Sequence, residues 1–178
     1  YVYSVGISGT ATSGLITLEG SVTGSDLNSG YMITDDASEI TDEWMVQKKA
    51  VLSILSVRTD SDVVSRGQNT IWVTMVVSNQ GEATAGVNGS LIALQFVDSA
   101  GNPVTAEYTL QNTQVPATIA GCTNETYIFS VKVNEAATTG RITIDGSITG
   151  TDLNSGYIIT DQSAVTTDQW MVQKKAVL

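Results

Sequence analysis

Two short loops carry the residues best suited to chemistry. Asp26-Leu27-Asn28-Ser29-Gly30 and Asp152-Leu153-Asn154-Ser155-Gly156 share a D-x-N-x-G spacing that sets two oxygen donors close together. An acidic stretch, Asp35-Asp36-Ala37-Ser38-Glu39-Ile40-Thr41-Asp42-Glu43, follows the first loop. Calcium takes about six to eight oxygen ligands, and acidic loops between domains supply them. The candidate calcium ligands are therefore Asp26, Asn28, Asp35, Asp42, Asp152, Asn154, Asp161 and Asp168. Against this, Asp36, Glu39 and Glu43 become Gln162, Val165 and Gln169 in the second stretch. The D-x-N-x-G loop also lacks a third ligand and a distal Glu, and an Asx turn closing a solvated loop accounts for its spacing. Calcium is thus the one cofactor considered, with the solvated polar loop the favoured reading.

Other reactive groups are few. The chain of 178 residues has no histidine, which removes the commonest general base and neutral metal ligand. No nucleophile motif, phosphate-cradling loop or Cys pair is present, so no enzyme is expected. Cys122 is the single cysteine and a candidate for an intermolecular disulfide, with an unpaired small residue as the alternative. Asn88-Gly89-Ser90 and Asn124-Glu125-Thr126 are N-glycosylation sequons, making Asn88 and Asn124 possible glycan acceptors. A net charge of −10 with only 8 Lys and Arg argues against a nucleic-acid partner. No window approaches the length of a membrane span.

What positions these loops is a repeat. Trp44-Met45-Val46-Gln47-Lys48-Lys49-Ala50-Val51-Leu52 recurs unchanged as Trp170 to Leu178, an offset of 126. The same offset, without a gap, carries Tyr1 onto Tyr127 and Gly14 onto Gly140, and 32 of the 52 aligned positions are identical. Residues 1–52 then correspond to the C-terminal part of one unit plus a connector. Residues 53–172 form one complete unit, and 173–178 open the next. The expectation is a window on a longer repetitive polypeptide.

Within the full unit, Ile71, Val73, Met75 and Val77 alternate with mostly polar neighbours, as do Tyr127, Phe129, Val131 and Val133, and Ile142, Ile144 and Ile148. Period two over such lengths predicts half-buried strands. Runs at 91–97, 52–57 and 104–110 add three more, and Gly- or Asn-containing turns separate them. About seven short strands with frequent turns predict an all-β, immunoglobulin-like antiparallel β-sandwich repeated with period 126.

The segment from Gly67-Gln68 through the alternating strand to Asn79-Gln80-Gly81, followed by Ile119-Ala120-Gly121 and the strand from Thr126 to Val133, resembles the cell-adhesion-related domain found in bacteria. The resemblance spans roughly residues 57–148. It implies extracellular or cell-surface repeats that serve as spacers, stalks, adhesins or lattice subunits.

The unchanged connector suggests a specified angle between modules, with Trp44, Met45, Trp170 and Met171 expected to pack in the inter-module joint. The functional expectation is a structural module of a surface stalk, filament or lattice whose partners are neighbouring copies of the same repeat. The alternative is an adhesin that binds carbohydrate or another cell surface. Residues 1–44 should hold only the last strands of a sandwich, at 1–7, 16–22 and 31–34, with an uncovered apolar face.

Overall fold

Alternation of apolar and polar residues lets each strand bury one face, and two such faces close into a sandwich. The computed structural model describes residues 2–36 and 40–176; Tyr1, Glu39 and the final Val177-Leu178 of the connector identity lie outside the described residues. The chain divides into two units between Lys48 and Lys49.

The first unit holds β1 (Gly14–Leu18), β2 (Val22–Ser25), β3 (Met32–Asp35) and β4 (Asp42–Val46), paired antiparallel as β1 with β4 and β2 with β3. The second unit begins with β5 (Leu52–Thr59), β6 (Val63–Ser65), β7 (Ile71–Asn79) and β8 (Ala85–Asp98). A 3-10 turn over Thr105–Glu107 leads into β9 (Tyr108–Gln114), β10 (Thr118–Ile119) and β11 (Asn124–Val133). The unit closes with β12 (Gly140–Asp152), β13 (Ile158–Asp161) and β14 (Asp168–Gln173). One sheet has the order β5-β7-β11-β9; the other has the order β10-β8-β12-β14-β6, with β13 also on β12. All pairings are antiparallel except β14 with β6. The second unit is an immunoglobulin-like antiparallel β-sandwich. No helix among the described residues is long and apolar enough to cross a membrane.

The core lies between the sheets and follows the alternation. Val73, Met75, Phe129 and Val131 face Leu94, Phe96, Ile142 and Ile144, all buried. Gly146 lets Met75 pack close to β12: a Cβ there would come within 2.6 Å of the Met75 sulfur and push that side chain aside. The Tyr127 hydroxyl is buried without a protein partner, and burial, assisted by the Glu125 charge, pushes it up to about 12. Because burial penalises only the ionised phenol, its titration leaves stability untouched below the unfolded value of about 10 and lowers it as pH rises from there towards 12. Tyr127→Phe should therefore leave stability at pH 7 unchanged or raise it by up to ~1 kcal/mol. It should also flatten the alkaline decline in a series of urea melts.

Several elements differ from the sequence expectation. Residues 2–7 are not a strand, although their counterparts 128–133 lie in β11. β11 is held between β7 and β9, and the described residues of the first unit contain no equivalent of either. Likewise β12 is continuous because β8 lines its other edge, whereas its counterpart breaks into β1 and β2 at residues 19–21. The 126-residue offset survives in the pairing itself: Gly14↔Val46 matches Gly140↔Val172, and Val22↔Asp35 matches Ile148↔Asp161. The stretch read as a connector begins in a strand: Trp44–Val46 close β4 and Trp170–Gln173 close β14. Trp170 lies in β14 and is 1% exposed, its ring 5.6 Å from those of Phe96 and Tyr108. It is a core residue of its own sandwich rather than a joint residue, because period two turns Trp170 and Val172 inward and Met171 outward.

Candidate functional site: the cradle around the start of the sandwich

The motifs singled out in the sequence converge where the second unit begins. Asn79 ends β7 fully buried and makes four hydrogen bonds. Its Oδ1 accepts from the amides of Val51 and Gly81, both at 3.1 Å. Its Nδ2 donates to the carbonyls of Ala83 at 2.8 Å and Ile119 at 3.1 Å. One amide side chain thus ties residue 51 to the β7–β8 turn and to β10. A polar group this buried must be satisfied, and Asn supplies two donors and two acceptor sites at once.

Glycines permit the close approach of these segments. A Cβ on Gly81 would overlap the backbone of Lys49 and Ala50, and one on Gly121 would overlap the carbonyl of Glu82. Cys122 follows with φ at +58°, its amide donating to the Gly81 carbonyl at 2.9 Å. Its thiol points at the same oxygen, 3.4 Å away, and the residue is exposed. The Asn-x-Gly and Ile-Ala-Gly landmarks are therefore two walls of one cradle, holding residues 49–52.

The carboxylates considered for calcium close the cradle and continue along β5. Asp152 is buried; its Oδ1 accepts from Asn154 and Ser155 in an Asx turn, and its Oδ2 accepts from Ala50 at 2.6 Å. Asp161 Oδ2 accepts from the Ile54 amide at 2.7 Å, and Asp168 Oδ2 from Thr59 at 2.9 Å. Between them Val57 donates to the Thr166 carbonyl at 2.9 Å. β5 is the edge strand of its sheet, and these acceptors occupy its outward amides, which would otherwise be an open template for another strand. Asp152, Asp161 and Asp168, weighed above as calcium ligands, thus each hold a backbone amide of β5 or of its approach. The three carboxylates are spread along one strand as amide acceptors, and the described residues contain no group of three or more Asp, Glu, His or Cys able to hold a metal.

In the first unit Asp26 and Asp42 keep the local hydrogen bonds of Asp152 and Asp168. Asp26 Oδ1 accepts from Asn28 and Ser29, and Asp42 Oδ1 from Glu43. Asp35 lies in β3, paired with β2 rather than with the strand that carries Asp42. Asn28 and Asn154 occupy the turns themselves. Trp44 is half-buried and Met45 exposed, and Asn88 and Asn124 are both exposed.

Burial by itself would raise the Asp152 carboxyl, but the Ala50 and Ser155 amides, the Ser155 hydroxyl and the Asn154 amide outweigh it. The group is held below the ordinary 3.8. A depressed carboxyl stabilises the fold above its unfolded pKa and loses that contribution as pH falls through the folded value. The second unit should therefore weaken progressively below about pH 4. Asp152→Asn should lower its unfolding free energy at pH 7 by about 1–2 kcal/mol and shrink the acid-side slope. The control, Asp26→Asn, should leave the second unit's midpoint unmoved at every pH.

No protein-family model and no curated protein matches the sequence. Solved structures similar to it include the ASH / PapD-like domain of human CEP192 (PapD-like domain 7), at 10% identity and TM-score 0.36 over 68% of this chain and 87% of that one. The seventh ScaB type I cohesin from Pseudobacteroides cellulosolvens is 10% identical, with TM-score 0.30 over 72% and 96% of the two chains. A structure described as "AvmM Catalyzes Macrocyclization in Alchivemycin A Biosynthesis" is 9% identical, with TM-score 0.37 over 73% and 92%.

Proposed function

We propose that this chain is a structural segment of a repetitive extracellular or cell-surface protein, related to the cell-adhesion-related bacterial repeats. Sandwiches of one kind follow one another through short, specified joints. The observation that carries the reading is where the chain enters and leaves the complete sandwich. Leu52 pairs with Asn79 at the end marked by Asn124 and Asp152, whereas Gln173 pairs with Ser65 at the opposite end, near Val131 and Gly140. A repeat with its termini at opposite ends extends a string of modules instead of doubling it back.

The nine-residue identity supports the same reading in a corrected form. It runs from a last strand into the first anchored residues of the next sandwich, leaving Gln47-Lys48-Lys49 as the exposed link. Three residues reach at most about 11 Å, which limits the orientations open to successive modules. The identity is then shared between core positions such as Trp170 and Val172 and the cradle positions Ala50 and Leu52, all buried. Scattering from chains of two, three and four 126-residue repeats tests this. Rigid joints give a constant cross-section and a length that grows in proportion to repeat number, while growth with its square root would refute them.

One observation favours the adhesin alternative. The Asp-Leu-Asn-Ser-Gly-Tyr loop is unchanged in both copies, and Tyr31 and Tyr157 at its end are both exposed. Aromatic side chains in exposed loops suit carbohydrate rings. Retention of the chain on a glycan array, lost with Tyr157→Ala, would move the assignment to adhesin.

A further inference from the structure

The first unit carries the register of a finished sandwich without its cover. Its strand pairs β1–β4 and β2–β3 reproduce, residue for residue at the 126 offset, the pairs that β12 makes with β14 and β13. In the second unit those strands pack against β8 within their sheet and β5 across the core, and Phe129 on β11 and Ile148 and Ile159 on β12 and β13 are 0%, 1% and 8% exposed. Their counterparts Tyr3, Val22 and Ile33 are 82%, 63% and 60% exposed. An apolar face of this kind, matched in pattern to a buried one, is a surface awaiting a specific partner.

We propose that the first unit is a seat for one occupant, a second copy of the segment 49–126 joined directly before Tyr1. This deepens the repeat reading and rests on it. Three features select that occupant over any apolar surface. The register of the seat is already that of β12–β14, so it accepts strands in the positions of β8 and β5. Residues 2–7 have the alternation of β11 and lack only neighbours equivalent to β7 and β9, which the segment 49–126 contains. Asp26, Asp35 and Asp42 stand where Asp152, Asp161 and Asp168 receive the amides of Ala50, Ile54 and Thr59. An incoming strand with the sequence of β5 would meet acceptors at matching intervals. The copy already present cannot serve, since residues 49–133 are committed to β12–β14: the chain has two seats and one cover.

The experiment fuses a copy of residues 49–126 immediately before Tyr1 of the full chain and follows amide hydrogen exchange by mass spectrometry. In the unextended chain, amides 2–35 should exchange close to the unprotected rate. In the extended chain they should slow by at least about a thousandfold, as in a cooperative core. A second extended chain, with Ser at the fused copies of Val73, Met75 and Val77, should lose that protection while residues 49–176 of the original stay protected. The proposal is overturned if 2–35 remain unprotected while the rest of the extended chain folds, including the case in which the added copy takes over residues 140–172. It is also overturned if the unextended chain gains protection at 2–35 with rising concentration, which would mean that separate copies supply the cover. Neither result bears on whether joints are rigid, so scattering from repeat concatemers fails or succeeds independently.

Discussion

Trp170→Ala should destabilise the second unit by about 3–5 kcal/mol, whereas the same change at Trp44 should leave that unit's urea midpoint where it was. The two tryptophans sit in identical nine-residue sequences, so sequence alone assigns them one role. Trp170 is closed in by Phe96 and Tyr108, and truncating it opens a cavity that neighbouring sheet residues cannot collapse to fill. Trp44 lies half-buried on a strand pair without those neighbours. Near-UV and fluorescence-detected melts of both variants measure the contrast. Equal losses from the two substitutions would mean that Trp44 also belongs to a closed core in this chain, and the account of the first unit would fail.

Asn79→Leu should be comparably damaging, at about 3–5 kcal/mol, despite adding apolar volume to a buried position. Four backbone groups, the amides of Val51 and Gly81 and the carbonyls of Ala83 and Ile119, would lose their partner together. Each buried group left unsatisfied costs about 1–3 kcal/mol, less whatever water recovers. Asn79→Asp separates the halves of this network: the two amides keep an acceptor, while two carbonyls now face oxygen instead of an NH2 group. Its loss should therefore be smaller than that of the leucine variant and should diminish on acidification, when the carboxyl regains a proton to donate. Equilibrium denaturation at pH 7 and pH 4 distinguishes these patterns. A leucine variant within ~1 kcal/mol of the parent would show that the four groups are not dependent on Asn79.

What sequence made legible was whatever depends on neighbours within a strand. The alternation from Ile71 to Val77 and from Tyr127 to Val133 matches β7 and β11, and the sandwich follows from having several such runs. What it hid depends on partners far away in the chain. Asp152, Asp161 and Asp168 bond amides more than 100 residues distant, and nothing local distinguishes such a carboxylate from a metal ligand. Trp170 read as a joint residue because its strand runs directly into an exposed Gln-Lys-Lys link, so identity across the whole stretch suggested one shared cause. Residues 2–7 have the pattern of a strand and no strand conformation, since alternation states which face would be buried and not whether a partner is there. The one signal that anticipated the cradle was Asn79-Gln80-Gly81. An Asn ending an apolar strand two residues before a Gly is a side chain positioned to bond across a turn that needs close backbone approach.

The opposed positions of Leu52 and Gln173 also determine how the sandwich would answer tension. β5 and β14, the first and last strands, run in the same direction, as the parallel bridge between Ser56 and Thr166 shows. Pulling along the chain draws β5 out past β7 and the three aspartates, and β14 out past β12 and β6. The hydrogen bonds of both strands lie across the direction of pull. They are sheared as a group and must yield together, whereas a hairpin pulled open from one end would lose its bonds singly. A module of this topology resists extension until a whole strand slips, and its weakest mechanical point is whichever of β5 or β14 has the fewer transverse bonds.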